Sequence, residues 1–232
     1  MRKTISSLIF LVVVALLITG CGGSKESASS AQATATTSGL RIASLDAKDA
    51  FSVFLNAVKD LRQIATDKEQ ELRTLQQQFA NGTIAKKDFD PQNYRLQVEL
   101  LQANLNIDIG ALNKMLASDN FADMRSYLQQ LQAAAAKPLA EKMDALVSAV
   151  TVGAIDPQEL ETRYAQMRSD YQTFDQLLIQ AATVKIVQVG KEVALENGYD
   201  LVLRSEDVII YSNVAKIANI TDSVKSKLGT YF

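Results

Sequence analysis

The sequence of 232 residues has no histidine, no tryptophan and only one cysteine. Histidine is the commonest general base near neutral pH and the commonest side-chain ligand of transition metals, so its absence removes the simplest routes to both kinds of site. A single cysteine cannot form a disulfide within the chain. The sequence also lacks a nucleophile elbow and a glycine-rich phosphate loop. We therefore expect no catalytic site, no metal site and no cofactor.

The first 20 residues have the pattern of a secretory signal peptide. A basic start at Arg2 and Lys3 precedes an apolar run over residues 8–18, which is shorter than the roughly 20 residues that span a bilayer. The run ends in the tetrapeptide ITGC, which resembles the lipobox of bacterial lipoproteins. The alternative is a plain signal peptide followed by an incidental cysteine. We predict cleavage after residue 20 and lipidation of Cys21.

The residues that follow the predicted cleavage site indicate where the protein is held. By resemblance to bacterial lipoproteins, Gly22 in place of an aspartate points to the outer membrane, so the expected location is the periplasm with an outer-membrane anchor. The two or three acyl chains of a bacterial lipoprotein hold a protein stably, whereas a single chain does not. Residues 21–39 are rich in Ser, Ala and Thr without apolar periodicity, which predicts a lipidated, flexible tether.

The charge of the mature chain is slightly negative. Removing Arg2 and Lys3 from the 24 basic residues leaves 22 against 26 acidic ones, a net charge of −4. A nucleic-acid-binding domain is usually basic, with lysine and arginine clustered on one face. We therefore expect no nucleic-acid partner.

Four long amphipathic helices are predicted after a short strand over residues 40–45. Apolar residues step by threes and fours through each helical segment, so each helix has one apolar stripe that needs a partner. Pro138 should kink or divide the third segment. The four predicted helices cover residues 46–80, 90–120, 121–150 and 156–196.

Local signals mark several helix ends. Asp90 is a natural N-cap residue, and Pro91 after it suits the first helical position. Asp156 with Glu159 three residues later has the pattern of a capping box. The Asn-Gly pair that ends at Gly198 is a strong stop signal.

Residues 199–211 predict two short strands around a polar turn. The triplets LVL at 201–203 and VII at 208–210 are continuous apolar runs, and such strands are usually covered on both faces. Together with the strand over residues 40–45 they make a sheet of three strands, which is small for one chain. We expect the sheet to complete its core by meeting copies of itself. The chain leaves the sheet near Leu45 and returns near Gly198, which favours an even number of antiparallel helices.

The expected fold class is therefore α+β and mostly α. It consists of a small β-sheet body with a long antiparallel, coiled-coil-like helical arm over residues 46–197.

The region opens with LRIASLDAKDAF and closes with GYDLVLRSEDVIIYS and ITDSVKSKL. These segments resemble the two ends of the Skp/OmpH family of periplasmic chaperones. In that family a first strand enters a helical arm, and the chain returns to a strand hairpin and a last helix. The resemblance implies one domain over residues 40–232, with body strands at 40–45 and 199–211 and a last helix at 222–229. The positions that match the closing motif are Gly198, Tyr199, Asp200, Leu201, Val202, Val208, Tyr211, Ile220, Thr221 and Asp222.

The resemblance implies a homotrimer whose bodies form a shared β-barrel. Three arms would enclose a cavity that shelters unfolded outer-membrane or other envelope proteins without using nucleotide, which is the activity of a holdase chaperone. The residues that would bind these clients are not identified by the motif. The residues implied in body and oligomer contacts are Ile42, Leu45, Leu201, Val202, Val208, Ile209 and Tyr211.

The chain departs from the family in two properties that favour a second hypothesis. Family members are usually free in the periplasm and strongly basic, whereas this chain has a predicted anchor and a slight negative charge. A structural or adaptor lipoprotein that uses a coiled coil to bind one folded envelope partner is the alternative.

The aromatic and methionine side chains of the helical segment have two interpretations. They either pack the helices together or face the cavity and hold apolar client segments, for which methionine is well suited. These residues are Phe79, Tyr94, Met115, Phe121, Met124, Tyr127, Tyr164, Met167, Tyr171 and Phe174.

Overall fold

A computed structural model describes residues 39–153, 155–205 and 217–232 of the chain. The predicted signal peptide, Cys21 and the tether as far as residue 38 lie outside the described residues. Within them the protein is mostly helical, with one small sheet. The elements are β1 (Ile42–Leu45), α1 (Ala47–Asn56), α2 (Lys59–Ala80), α3 (Lys86–Ala117), a 3₁₀ segment (Asp119–Met124), α4 (Arg125–Leu131), a π-helical turn (Gln132–Ala136), α5 (Lys137–Thr151), α6 (Pro157–Glu196), β2 (Leu201–Arg204), β3 (Ile217–Asn219) and α7 (Thr221–Gly229).

The described strands form one sheet in the order β2-β1-β3, and both pairings are parallel. Ile42 lies opposite Leu201 on one side and Ile217 on the other. The predicted placement of the first strand beside residues 201–203 is confirmed. The described strands pair only in parallel, and neither the α+β class nor the antiparallel coiled-coil arm is confirmed. The predicted second strand of the hairpin, with Val208, Ile209 and Tyr211, lies outside the described residues.

The course of α6 explains why β2 is parallel to β1. A Cβ atom added to Gly190 would lie 2.9 Å from Leu45 Cδ2, at the end of β1. One added to Gly198 would lie 2.9 Å from Arg41 Nη1, just before β1 begins. The last turns of α6 therefore run back along β1. Because the chain re-enters the sheet beside the start of β1, β2 must run in the same direction as β1. The hairpin prediction did not include this return of α6 along β1.

The predicted first helix over residues 46–80 is two helices. Val58 leaves the helical region of backbone space (φ −123°, ψ 28°), so α1 ends at Asn56 and α2 begins at Lys59. The two parts have different partners, since α1 packs on α6 and α7 whereas α2 packs on α3. The heptad positions of α2 are buried only in part, since Ala65 and Leu75 are buried whereas Phe79 is 39% exposed.

The second long helix, α3, begins at Lys86, one turn before the predicted cap at Asp90. Pro91 therefore lies inside the helix, where it cannot donate a backbone hydrogen bond. The added turn carries Phe89, whose ring stacks on that of Phe79 of α2 with 4.1 Å between centroids. The Lys86 Nζ atom also lies 2.6 Å from Asp90 Oδ2. Packing across the α2–α3 turn thus outweighs the local start signal.

The third predicted segment is interrupted next to Pro138. The sequence predicts that this proline kinks the segment or divides it. The π-helical turn over Gln132–Ala136 separates α4 from α5, and Pro138 lies in the first turn of α5. The backbone is helical at Leu131, Ala136 and Lys137, so the interruption is a local change of hydrogen bonding just before Pro138, which has no N–H to donate to the preceding turn. The segment also begins as a 3₁₀ helix rather than as α-helix.

Both ends of α6 are formed by the residues that the sequence predicts. The Asp156 side chain caps the helix by accepting from the backbone N–H of Glu159 at 3.0 Å. At the other end Gly198 adopts a positive φ of 68°, and the N–H of Tyr199 donates to the Ala194 carbonyl at 2.9 Å. The helix has 40 residues, a length of about 60 Å at 1.5 Å per residue.

Cross-helix hydrogen bonds give the relative directions of the long helices. Gln102 of α3 donates to Asp144 of α5 at 3.0 Å, and Gln132 before α5 donates to Asn113 of α3 at 2.9 Å. The residue numbers rise on one side as they fall on the other, so α3 and α5 run in opposite directions. The pairs Lys142–Asp170 (3.3 Å) and Tyr127–Leu177 (3.4 Å) give the same result for the α4–α5 segment and α6. Helices α3 and α6 are therefore parallel neighbours.

One continuous hydrophobic core joins β1, α1 and α3 to α7. The last helix is tied to the first strand, since Thr221 Oγ1 accepts from the backbone N–H of Asp46 at 2.9 Å. Helix α7 lies where the sequence predicts it. The largest fully buried side chains are Phe121, Phe174, Leu105, Leu112, Met115, Leu128, Met143 and Ile186.

A candidate binding groove between α3 and α6

The predicted body residues that the structure describes lie together in the sheet. Leu45 is buried within the chain, against Gly190 of α6, so it supports the body from inside. Ile42 and Val202 are partly buried, and Leu201 on β2 is 41% exposed. These last three are therefore the described members of the predicted set that retain accessible apolar surface.

The aromatic and methionine side chains of the helices divide into two groups. Met115, Phe121, Met167 and Phe174 are buried, so the packing interpretation is confirmed for them. The others keep accessible surface. Those at the surface or partly buried are Phe79, Tyr94, Met124, Tyr127, Tyr164 and Tyr171.

Two of the accessible tyrosines line a groove between α3 and α6. Its volume is about 390 Å³. Val98 and Leu160 are buried and form an apolar floor, and Tyr94 and Tyr164 stand beside it. The full lining is Tyr94, Gln97 and Val98 of α3 with Leu160, Glu161, Tyr164, Ala165, Arg168, Ser169 and Gln172 of α6.

The lining determines what kind of group the groove can hold. An apolar floor between tyrosine rings can take a single aliphatic or aromatic side chain, and each tyrosine offers both a ring face and a hydroxyl. Gln97, Ser169 and Gln172 can exchange hydrogen bonds with the backbone of a bound peptide. Glu161 and Arg168 bring one charge of each sign to the lining, so the groove does not select strongly for net charge.

A carboxyl pair lies farther along the same α3–α6 contact, towards the sheet. The Oδ2 atom of Asp108 is shielded from solvent and has no hydrogen-bond partner. Burial, together with the charge of Asp175 on α6, raises the pKa of Asp108 from 3.8 to about 7 against the opposing effect of a hydrogen bond with Tyr171. Burial also raises the pKa of Asp175.

A buried lysine lies nearer the sheet on α6. Lys185 is 6% exposed, its Nζ lies 3.1 Å from Asp123 Oδ1, and it stands over the Phe121 ring at 5.3 Å from the centroid. Burial opposes ionisation of Asp123, but hydrogen bonds with Lys185 and Gln188 outweigh it and lower the pKa of Asp123.

The sequence analysis missed both Asp108 and Lys185, although a signal was present. Asp108 falls between Leu105 and Leu112 in the three-four spacing of α3, and Lys185 occupies the equivalent position after Leu178 and Ala181 in α6. A charged residue on an apolar stripe brings its charge into a helix contact or to the edge of one. A search of the sequence for charged residues at the apolar-stripe positions of each predicted helix identifies both Asp108 and Lys185.

The described residues contain no group of three or more His, Cys, Asp or Glu side chains arranged to hold a metal ion. Among the helices of the same residues, none is both long enough and apolar enough to cross a membrane. In comparisons with known proteins, no family model, no curated protein and no solved structure matched this chain.

Proposed function

We propose that the protein is a lipid-anchored periplasmic holdase of the Skp/OmpH type, which binds unfolded outer-membrane or other envelope proteins. The observation that carries the proposal is the groove between α3 and α6. It offers an apolar floor, two tyrosine walls and uncharged hydrogen-bonding groups on long helices. An unfolded polypeptide presents apolar side chains on a hydrogen-bonding backbone, and many weak contacts of this kind retain it without a covalent step.

Exposed apolar residues near the sheet support assembly into the proposed homotrimer. Leu201 is 41% exposed, and Leu40 and Leu195, close to the start of β1 and the end of α6, are 66% and 69% exposed. Parallel sheets are normally covered on both faces, and the edge strand β2 keeps exposed apolar surface at Leu201. Other copies of the chain would bury this surface, and the long helices of each copy would then stand around a shared cavity as arms.

Aggregation of a denatured β-barrel membrane protein tests the proposal. The mature chain carrying Cys21→Ser, made without the signal peptide, is mixed with the urea-denatured protein during dilution, and light scattering is followed. We expect the scattering to fall as the chaperone is added and to be suppressed at a few-fold molar excess. Undiminished scattering at that excess would contradict the proposal.

The groove itself is tested by Tyr164→Ala. Removing the ring takes away one wall of the groove, so we expect several-fold more protein to be needed for the same suppression. Tyr127→Ala is the matched control, because Tyr127 is 40% exposed and does not line the groove. Circular dichroism verifies that both variants fold. Equal suppression by the two variants would remove the groove from the mechanism.

A further inference from the structure

The contact between α3 and α6 contains two carboxyl groups that do not stabilise it when both are charged. Asp108 projects from α3 and Asp175 from α6, and the Asp108 Oδ2 atom is hidden from solvent without a hydrogen-bond partner. A carboxylate oxygen that is shielded from solvent without a partner disfavours the charged form, even though Asp108 as a residue is only partly buried, and a second carboxylate nearby adds repulsion. The apolar neighbours Leu105, Leu112 and Phe174 are fully buried, so the carboxyls lie at the edge of a dry contact.

The surrounding groups provide little compensation. Asp175 and Tyr171, both on α6, are the groups that act on Asp108, and of these only the Tyr171 hydroxyl favours its charged form. On the α2 side, apolar Leu61 and Val58 approach α3 at Gly110. Among the described residues, no lysine or arginine acts on Asp108. Lys142 pairs with Asp170, Lys68 with Glu71 and Glu99, and Arg125 with Asp119, whereas Arg168 lines the groove.

We propose that Asp108 and Asp175 form a proton-controlled latch on the α3–α6 contact, which holds the two helices together when protonated and loosens them when both carboxyls are ionised. A proton on Asp108 Oδ2 removes the repulsion with Asp175 and the cost of a buried charge. Loss of that proton restores both, and the smallest relief is a separation of the helices that admits water.

The effect of pH on stability depends on the pH at which Asp108 loses its proton in the unfolded and in the folded state. In the unfolded chain Asp108 ionises near its ordinary pKa of 3.8, whereas in the folded protein it holds its proton up to about pH 7. Between these values the folded state binds more protons than the unfolded state. The free energy of unfolding therefore falls as the pH rises through this window, and it levels off above it.

The latch lies next to the proposed client groove, and this consequence rests on the proposed function. Tyr171 adjoins Gln172, Ser169 and Arg168, which line the groove on α6. Because α3 and α6 are parallel, separating them at the latch widens the end of the groove nearer the sheet. A mildly acidic medium would then close the groove, and a mildly alkaline one would open it to exchange of bound segments.

Distance measurements between spin labels test the latch without any client. Labels are placed at Asn106→Cys on α3 and Gln176→Cys on α6, both exposed positions, in the mature chain carrying Cys21→Ser. The labelled chain is diluted with unlabelled chain so that only distances within one copy are measured. We expect the distance distribution to lengthen or broaden between pH 5.5 and 8.5, with a midpoint near pH 7.

Asp108→Asn keeps the size of the side chain and removes its titration, so its distribution should stay narrow at every pH. The control is Asp88→Asn, an exposed carboxyl on the same helix, which should change with pH as the parent does. Asp175→Asn removes the neighbouring charge and should move the midpoint to lower pH, which keeps the test decisive if Asp108→Asn fails to fold. A pH-independent distance in the parent, or an unaltered titration in the Asp108 and Asp175 variants, would overturn the latch. Neither result bears on the aggregation assay.

Discussion

At the scale of single residues, the polar side chains on the apolar stripes distinguish this bundle from a plain helical core. Lys185 is buried on α6, but its ammonium group reaches Asp123, which is itself 46% exposed. The aliphatic stem therefore packs in the core while the charge finds a partner at the edge. Its contribution should come mainly from packing and from the Phe121 ring, with less from the ion pair.

Two substitutions separate these contributions. Lys185→Ala should lower the free energy of unfolding by about 2–3 kcal/mol, because it leaves a cavity beside Phe121. Lys185→Met keeps the stem and should cost less than about 1.5 kcal/mol, as other volume-conserving core substitutions do. Urea denaturation of the soluble form measures both. Equal losses for the two variants would show that the charge, and not the stem, is the stabilising part.

At the scale of elements, helix ends were predictable where a local side chain forms them. Asp156 and Gly198 act through atoms within four residues of the helix end, so the sequence alone identifies them. The start of α3 was not predictable in this way, because it depends on Phe89 stacking across a turn on Phe79. The break between α1 and α2 likewise depends on two different packing partners, which heptad spacing does not reveal.

The cap of α6 gives a prediction at this scale. Asp156→Ala leaves the N–H groups of Gln158 and Glu159 without their side-chain acceptor. The free energy of unfolding should fall by about 1 kcal/mol, a typical cost for losing an N-cap side chain. Asp156→Asn retains an oxygen acceptor and should restore most of the loss. Chemical denaturation compares the three proteins, and an Asn variant as unstable as the Ala variant would contradict the cap.

At the scale of the whole molecule, the sequence predicted that the first and last parts of the chain meet in one sheet, and this is confirmed by the pairing of Ile42 with Leu201. The direction of the strands was not predictable from the triplet LVL, because parallel and antiparallel strands can share that composition. It depends on how far α6 runs along β1, which is a matter of helix length and of close approach at Gly190. The groove could not be located either, since Tyr94 and Tyr164 are about 70 positions apart and meet only because α3 and α6 are neighbours.

The central claim is that copies of this chain assemble and hold an unfolded protein between their helices. Native mass spectrometry of the soluble form, alone and after dilution of a urea-denatured β-barrel membrane protein, tests assembly and binding together. We predict a species of three chains that gains the mass of one client molecule. A monomer that gains no client, or a stable complex with one folded envelope protein only, would contradict the account and favour the adaptor hypothesis.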